Sequence, residues 1–478
     1  MPVKSDLIAS LVQQEFDKLP PKRKPVVRDN GLREWVPLSG IVAEEKDGKL
    51  TCLSLATGMK CLPSSKLSLA QGNVLHDWHA EVLSIRAFNC FVLDECQAVA
   101  SGSKDSSEFI RRRSSAEINA NPDSTDWHGQ PFTWREDVLL HMYCSEAPCG
   151  DASMELTMAS QADATPWAIP TLSQQGSLSS LSITPNSAPL DPDMVLPGRA
   201  YFSQLGIVRR KPSRGDAPQT LSKSCSDKLS LHQCTSLLSS LTSLLVSPDH
   251  AYISTLILPA SQYSASGCRR AFSDGQGHDE DHEEASSQQA RMAPLAAENR
   301  SWNRNGGYKF QPFSIKTTNL EFTFSRRSAT TLPPSSSSPL SSPAIDTSRI
   351  KITPSNLSVA HTASRREETT LNGVLQGRKA SDASIRGASF TSRRRTWALA
   401  VEVAGLLSPD ESNTPQIRRA LGASPSSAET PQAPATTYGD LKNTPLLEAR
   451  RRAKQTARNL ALKGWVRNLG DEDFALQT

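Results

Sequence analysis

Apolar and polar positions alternate with two different periods along the first part of the chain. Residues 7–19 repeat their apolar positions as an amphipathic helix does. Residues 35–61 alternate with a period of two around Asp47-Gly48, which predicts two strands joined by a tight turn. The stretch after His79 is apolar on nearly every side, and this predicts a largely buried helix.

The same alternation of strands and helices continues further along. Strands are predicted for DVLLHMYCS (137–145) and AYISTLILP (251–259), and a pair of strands for residues 308–324. A long apolar helix is predicted to follow KSCSDKL (223–229). Strands that alternate with helices indicate an α/β sandwich.

Segments rich in serine and proline interrupt this pattern. Hydrophobic residues make up 37% of the 478 residues, and there are 32 prolines. This composition is typical of one folded core with disordered insertions. We therefore predict a single domain over 1–478, with disordered insertions at 98–125, 159–197, 274–303, 329–350 and 408–435.

Charge and cysteine content narrow the possible environments. The net charge of +4 gives no overall attraction for polyanions, so any nucleic-acid contact must come from local basic patches. No apolar run approaches the roughly 20 residues of a membrane span. The nine cysteines are irregularly spaced and no secretory signal is apparent, so we expect reduced thiols in the cytoplasm or nucleus and no membrane.

His79 and Glu81 lie two positions apart at the predicted start of the buried helix. Hydrolytic deamination of a nucleobase needs a zinc ion with three protein ligands and one free position, together with a carboxylate that moves protons without binding the metal. His79 fits a ligand and Glu81 fits the proton carrier. Taken alone, the pair could equally be the polar start of an ordinary helix.

Two cysteines could complete such a site. Cys149 lies in Pro-Cys-Gly at a predicted helix start, where the helix dipole favours a thiolate. The compact signature Pro-Cys-x-x-Cys is not fulfilled, because Ala152 stands at its second cysteine position. Cys225 offers the missing ligand from a distant stretch, and Cys144 on the preceding strand is the rival candidate.

The stretches DWHAEVLSIRAF, SEAPCGDASME and KSCSDKL, in this order, resemble the adenosine deaminases acting on RNA and tRNA. The resemblance covers most of the chain, and KPSRGDAP, LNGVLQGRK and the lack of a double-stranded-RNA-binding domain point to the tRNA branch. That branch converts the adenosine 3′ of the anticodon of alanine tRNA, at position 37, to inosine.

The resemblance implies a cytidine-deaminase-like three-layer sandwich, a mixed sheet flanked by helices, with a C-terminal extension. It also implies zinc ligation by His79, Cys149 and Cys225, with Glu81 as the proton carrier. The implied partner is the anticodon stem-loop of alanine tRNA, with no protein partner and a monomer or weak homodimer. Lys60 is expected near a substrate phosphate, and Arg214 at the tip of a flexible basic loop over residues 209–216.

A second cofactor is implied beneath the active site. RNA-editing relatives enclose inositol hexakisphosphate there, and buried cations such as Arg86 and Lys228 require an anion. The residues matched to this cofactor are Asp77, Arg86, Lys228, Arg393, Tyr438, Lys442 and Trp465, with Arg451, Arg452 or Lys454 in uncertain register. This sequence departs from the editing relatives at Ile85, Leu231 and His232, which replace Arg, Arg and Trp.

Two other functions are compatible with part of these features. The first is a catalytically inactive RNA-binding module that keeps zinc for structure, and the second is a cytidine deaminase. The retained Glu81 argues against the first, because a structural zinc site has no need of that carboxylate. The distant Cys225 and the basic C-terminal half argue against the second.

Overall fold

The computed structural model describes most of the chain in separate ranges. These are residues 2–27, 32–119, 126–161, 165, 196–197, 201–211, 217–276, 290–297, 306–330, 351–380, 384–409, 413–423 and 437–476. The predicted insertions at 159–197 and 329–350 lie largely outside these ranges. The insertions predicted at 274–303 and 408–435 lie partly outside them, and their described parts contain the helices Ala293–Ala297 and Thr414–Leu421, which contradicts disorder there.

Twelve helices and fifteen strands are described in this part of the chain. The helices are α1 (Lys4–Asp17), α2 (Ala80–Ala100), α3 (Ser115–Ile118), α4 (Met154–Ala159), α5 (Cys225–Thr235), α6 (Ala265–Phe272), α7 (Ala293–Ala297), α8 (Arg326–Thr330), α9 (Arg393–Leu406), α10 (Thr414–Leu421), α11 (Tyr438–Asn443) and α12 (Glu448–Leu460). The strands are β1 (Leu32–Trp35), β2 (Leu38–Glu44), β3 (Leu50–Thr57), β4 (Ile110–Arg112), β5 (Phe132–Trp134), β6 (Leu139–Cys144), β7 (Leu196–Pro197), β8 (Arg209–Arg210), β9 (Val246–Ser247), β10 (Ile253–Pro259), β11 (Ser314–Thr318), β12 (Lys351–Pro354), β13 (Leu357–Thr362), β14 (Glu367–Leu371) and β15 (Val374–Leu375).

Eight strands form the central sheet, in the order β11-β10-β6-β2-β3-β13-β14-β15. Strands β6, β10 and β11 run parallel to one another, whereas β2 is antiparallel to both β6 and β3. The remaining pairs, from β3 to β15, are antiparallel. The sheet is therefore mixed, and the carboxyl end of β6 opens directly into the Pro-Cys-Gly loop.

Helices cover both faces of this sheet. Successive residues of β2 point to opposite sides, so that Val42 joins a buried cluster with Phe16 of α1, while Ile41 joins another with Phe88 of α2. Gly40 lies where α1 crosses the sheet, and a Cβ atom there would come within 2.6 Å of the Val12 side chain. The predicted mixed sheet between helices is confirmed. None of the described helices is long and apolar enough to span a membrane.

Several predicted elements are found as expected. The two strands around Asp47-Gly48 are β2 and β3, and Gly48 adopts the left-handed φ of +85° that the tight turn requires. The buried helix after His79 is α2, whose inner residues are almost all inaccessible. The strands predicted in 137–145 and 251–259 are β6 and β10.

Three predicted elements need correction. The long helix after 223–229 ends at Thr235, because Ser236 takes a φ of +56° and the following apolar run folds into a turn and a short 3-10 helix. Only one strand, β11, forms within 308–324. Residues 98–119 of the predicted insertion 98–125 are structured, since they contain the end of α2, β4 and α3.

Candidate active site

The beginning of α2 is fixed by the loop that follows β3. His79 immediately precedes the first helical residue, and the Ala80 amide donates to the Gly58 carbonyl at 2.9 Å. The Trp78 amide donates to the Lys60 carbonyl at 3.0 Å, and the His79 amide donates to Asp77 Oδ1 at 3.0 Å. These backbone contacts leave the imidazole of His79 free to face the Pro-Cys-Gly loop.

That loop is joined to the start of α5. The Cys225 amide donates to Cys149 Sγ at 3.3 Å, and the Ser226 amide donates to the Cys149 carbonyl at 3.0 Å. The Ser226 hydroxyl donates to the Pro148 carbonyl at 2.9 Å. The two cysteines are thus held together although a long stretch of sequence separates them.

His79, Cys149 and Cys225 form a cluster of potential metal ligands. Their ligand atoms all lie within 4.8 Å of one another, and Cys149 Sγ is 3.9 Å from His79 Nδ1. Contact with Cys225 and the positive charges of Lys211 and His79 hold the pKa of Cys149 well below its usual range. This cluster is therefore poised to present a thiolate to a cation.

Cys144, the rival candidate, does not belong to this cluster. Its thiol is buried on β6 and lies 3.5 Å from the Ser39 hydroxyl. Burial raises its pKa well above the usual range of a thiol. A second group, in which Cys61 and Asp77 lie close to His79, adjoins the first one.

Glu81 occupies the first turn of α2 and is only 6% exposed. Its Oε2 atom has no hydrogen-bond partner among the described residues. Burial and the nearby charge of Cys149 raise the pKa of its carboxyl group. Buried carboxylates that serve only the fold are normally hydrogen-bonded, so this free oxygen is chemically available.

Lys211, which the sequence analysis overlooked, connects the cluster to its surroundings. Its ammonium group donates to Asp77 Oδ2 at 2.9 Å and to Cys225 Sγ at 3.1 Å, and its side chain is 5% exposed. Lys228 and the Ser222 hydroxyl bind the same Asp77 oxygen. Although burial alone would raise it, Lys211 and Lys228 hold the pKa of Asp77 well below its usual range.

An internal cavity of about 200 Å³ begins behind this cluster. It lies between α2, α5, α9, α11 and α12, and Glu81 and Cys225 line one end of it. The residues matched to the second cofactor that line it are Arg86, Lys228, Arg393 and Tyr438. Arg450 lines it as well and was not among the predicted residues.

Helix α12 directs Arg450 toward the cavity, and none of the three residues whose register the sequence left open, Arg451, Arg452 and Lys454, lines it. Arg450 is buried and faces the cavity, and Lys454 lies one turn further along the same side. Arg451 binds Glu448 on its own helix, and Arg452 is exposed. Burial and neighbouring cations, Arg450 first, lower the pKa of Lys454 well below its usual value.

The other three matched residues, Asp77, Lys442 and Trp465, do not line this cavity. Lys442 donates to Glu472 Oε1 at 2.8 Å. The Trp465 ring carries Lys223 and Arg458, whose charged groups lie 5.6 and 5.4 Å from its centroid. Burial, Lys228 and Arg458 lower the pKa of Lys223 to about 7.

The three positions that depart from the editing relatives supply no positive charge to the cavity near pH 7. Ile85 and His232 line the cavity, and Leu231 packs in a separate hydrophobic cluster with residues of α12. Burial lowers the pKa of His232 to about 4, so its ring is neutral near pH 7. The cations around the cavity therefore come from other positions, such as Arg450.

Of the two residues expected to contact the substrate, Lys60 and Arg214, only Lys60 lies among the described residues. Lys60 donates a hydrogen bond to the Asn356 side chain near the start of β13. Arg214 lies outside the described residues, as does the tip of its loop.

The chain matches a family model over nearly its whole length. The model of the adenosine-deaminase (editase) domain matches residues 54–469. The chain belongs to this family. The resemblance found in the motifs is therefore confirmed, and so is the predicted class of enzyme, a deaminase.

Similar proteins within this family include both tRNA and double-stranded RNA enzymes by name. The tRNA-specific adenosine deaminase 1 of Schizosaccharomyces pombe is 36% identical over 67% of this chain and 70% of its own length. Its namesake in Saccharomyces cerevisiae is 35% identical over 49% of this chain and 53% of its own length. The double-stranded RNA-specific editase B2 of Mus musculus is 30% identical over 31% of this chain and 18% of its own length.

Proposed function

We propose that this deaminase converts adenosine to inosine in tRNA by zinc-dependent hydrolysis, at the adenosine 3′ of the anticodon, position 37 of alanine tRNA. The observation that carries the proposal is the convergence of His79, Cys149 and Cys225, together with the nearby Glu81, whose Oε2 atom has no hydrogen-bond partner among the described residues. The names of the yeast relatives support tRNA as the substrate.

The ligand cluster suits zinc by its chemistry. One imidazole and two thiol groups are a donor set typical of catalytic zinc, which keeps a fourth position open. When bound, zinc supplies a Lewis acid that lowers the pKa of a water molecule to about 7. His79, Cys149 and Cys225 would hold the ion, and the lowered pKa of Cys149 agrees with a thiolate ligand.

Glu81 would carry the protons of the reaction. Its carboxylate takes a proton from the attacking water as oxygen bonds to C6 of the adenine. It then delivers a proton to the exocyclic nitrogen, which leaves as ammonia, and inosine remains. Burial favours the protonated form of Glu81, which makes the second of these transfers easier.

Lys211, Asp77 and Lys228 would hold the ligand shell in position. The Lys211 ammonium contacts Cys225 Sγ, and Asp77 accepts from both lysines and from the His79 amide. Partners of this kind orient metal ligands and tune their basicity.

Inositol hexakisphosphate, or a polyanion of the same kind, is the proposed second cofactor. The cavity has cationic walls, and Lys454 makes no ion pair with any described carboxylate while other cations surround it. So many buried positive charges are costly unless an anion neutralises them. Arg86, Lys228, Arg393 and Arg450 would contact its phosphate groups from the cavity wall.

A single-stranded anticodon loop is a suitable substrate for this site. An anticodon loop is single-stranded, so its bases are unstacked at little cost and no reader of duplex RNA is needed. Lys60 and Arg214 would contact its phosphates. We further propose a monomer or weak homodimer, in the cytoplasm or nucleus, with no protein partner.

The decisive experiment replaces Glu81 with glutamine, which keeps the size of the side chain but removes the proton carrier. We expect Glu81→Gln to lower inosine formation at position 37 by about 10²- to 10⁴-fold while one zinc per chain is retained. The readouts are inosine by mass spectrometry of the digested tRNA and zinc by elemental analysis.

The matched control is Glu95→Gln, another buried glutamate of α2, which binds Lys104 and Ser107. This control should keep both zinc and activity. Equal inosine formation by wild type and Glu81→Gln would overturn the assigned role. A wild-type protein that holds zinc but forms no inosine would instead favour the inactive RNA-binding module.

A further inference from the structure

We propose that Asp471 is a positioning residue that fastens the segment carrying Asp77 and His79 to the C-terminal tail, residues 465–476. The inference rests on the proposed function, because it assigns this contact to the assembly of the same active site. Asp471 is 4% exposed and accepts hydrogen bonds from three residues in two separate parts of the chain.

Two of these contacts hold the segment just before the catalytic residues. The Gly72 amide donates to Asp471 Oδ1 at 2.9 Å, and His76 Nε2 lies 2.8 Å from Asp471 Oδ2. Gln71 and Gly72 both have left-handed backbones, with φ of +49° and +67°. A turn of this kind is costly for glutamine, so it persists because its surroundings fix it.

Packing of Phe474 strengthens the same contact. Its ring lies so close to Gly72 that a Cβ atom there would come within 2.3 Å of it. The ring also stacks on Tyr438, with centroids 5.1 Å apart and an interplanar angle of 16°. Phe474 thus packs between Tyr438 and the turn at Gly72.

A shift of His76 would be transmitted to the active site. The Leu62 amide donates to the His76 carbonyl at 2.9 Å, and the Trp78 amide donates to the Lys60 carbonyl at 3.0 Å. Residues 76–79 therefore form one short extended piece, and its far end carries the metal-ligand candidate His79. Moving one end by about an ångström displaces the other, and displacements of this size can cost about 100-fold in rate.

The third contact connects the same carboxylate to the internal cavity. Arg393 Nη1 donates to the Asp471 carbonyl at 2.7 Å and to Asp471 Oδ2 at 3.2 Å, and Arg393 also lines the cavity. Asp471 therefore contacts both Arg393 in the wall of the proposed polyanion site and the segment 72–76 that precedes His79. This connection is separate from the one through Lys228 and Asp77.

The test compares Asp471→Ala with Asp473→Ala, which removes the same charge from an exposed position of the same tail. We expect Asp471→Ala to lower kcat about tenfold or more with KM for tRNA changed less than about twofold, and Asp473→Ala to resemble wild type. Hydrogen–deuterium exchange, which does not depend on activity, should show faster exchange of amides 72–79 in Asp471→Ala only.

A second pair of variants keeps the test sound if Asp471→Ala does not fold. His76→Gln retains a donor toward Asp471 and should keep most of the kcat, whereas His76→Leu should lose it. Exchange of 72–79 that is unchanged in Asp471→Ala and His76→Leu would overturn the inference. Faster exchange of amides 72–79 in these variants, combined with a wild-type protein that forms no inosine, would support the role of Asp471 while the proposed function fails.

Discussion

Individual buried charges in this protein act through specific partners, and Lys211 shows this most clearly. Its ammonium group is the bridge between the Asp77 carboxylate and the Cys225 sulfur. A buried lysine in such a position compensates negative charge on two groups at once. Its removal should therefore weaken metal binding more than it lowers the stability of the fold.

We predict that Lys211→Met weakens zinc binding about 10- to 100-fold, the usual effect of losing an outer partner of a metal ligand. The measurement is competition for zinc with a chromogenic chelator at equilibrium. Lys228→Met is the matched control, because it also removes a partner of Asp77 but leaves the contact with Cys225 intact. Equal zinc affinities of the two variants would show that the Cys225 contact is unimportant.

Sequence reasoning found most residues of the candidate cluster but not this lysine. His79, Glu81, Cys149 and Cys225 stand in short local motifs that are ambiguous singly, and their order and flanking residues identified them together. Lys211 looks like part of an exposed basic run, and it is buried only because its amide pairs with the Ser222 carbonyl beside α5. Such pairing depends on the folded chain and leaves no local pattern.

Loops between elements also contain titratable groups that affect stability, and Glu146 is an example. It follows β6 in the loop that leads to Cys149, and its Oε1 atom accepts from the Arg326 amide at the start of α8. Burial raises its pKa from an ordinary 4.5 to about 7, and nearby Glu321 adds to the increase. The fold therefore holds this carboxyl protonated over a range where the unfolded chain has lost the proton.

We predict that this carboxyl makes the protein less stable as pH rises from about 4.5 to about 7, by at most about 3 kcal/mol, with no further change above that range. The sign follows because the folded state binds the extra proton in this window. Glu146→Gln should consequently raise Tm relative to wild type more at pH 8 than at pH 5.

Thermal unfolding at the two pH values measures this difference. Glu108→Gln, at a side chain that is 61% exposed, is the control and should shift Tm equally at both. A Glu146→Gln shift that does not depend on pH would contradict the raised pKa.

Elements were predictable where one period dominates and less so where the chain turns within an apolar run. The period of two in β2 and β3 and the apolar length of α2 identified these elements correctly. The apolar residues after Thr235 look like more helix, yet Ser236 reverses the backbone and its carbonyl faces His232 Nδ1 at 2.7 Å. Serine at positive φ is uncommon, so the sequence gives no warning of the break.

At the scale of the whole molecule, five helices meet at the cavity, and four of them contribute a positively charged side chain to its wall. Lysines and arginines from α2, α5, α9 and α12 converge there, together with Tyr438 of α11. Like charges around one cavity repel, and the proposed polyanion would relieve this repulsion. A substitution here should then have opposite effects with and without the ligand.

We predict that Lys454→Met raises Tm slightly in protein without a bound polyanion, because a half-buried cation surrounded by other cations is removed. The same change should raise the Kd for inositol hexakisphosphate about tenfold or more, since a charged contact contributes about 1.5–3 kcal/mol. Calorimetric titration and thermal unfolding give both values.

Lys463→Met is the control, since Lys463 is exposed just beyond α12. It should change neither value. Unaltered binding of inositol hexakisphosphate by Lys454→Met would mean that this helix does not face the ligand.

The overall architecture followed from the sequence more readily than the cavity did. Alternating strands and helices indicated an α/β sandwich, the resemblance implied a mixed sheet between helices, and the described fold has such a sheet. The lining residues Arg393, Tyr438 and Arg450 lie far from α2 in sequence, and only their common packing brings them together. Residues that line one cavity share no period, which is why a resemblance rather than a pattern suggested Arg393 and Tyr438, and why Arg450 was missed.

The three side chains of the ligand cluster appear in the order His79, Cys149, Cys225 as the chain is synthesised. A nascent polypeptide that has left the ribosome only as far as β6 and its loop can offer two donors, which hold a metal weakly and loosely. The third arrives with α5, after a long intervening stretch has emerged. We therefore expect loading with the ion to wait until α5 has emerged, and an incomplete product that lacks Cys225 to stay inert toward RNA.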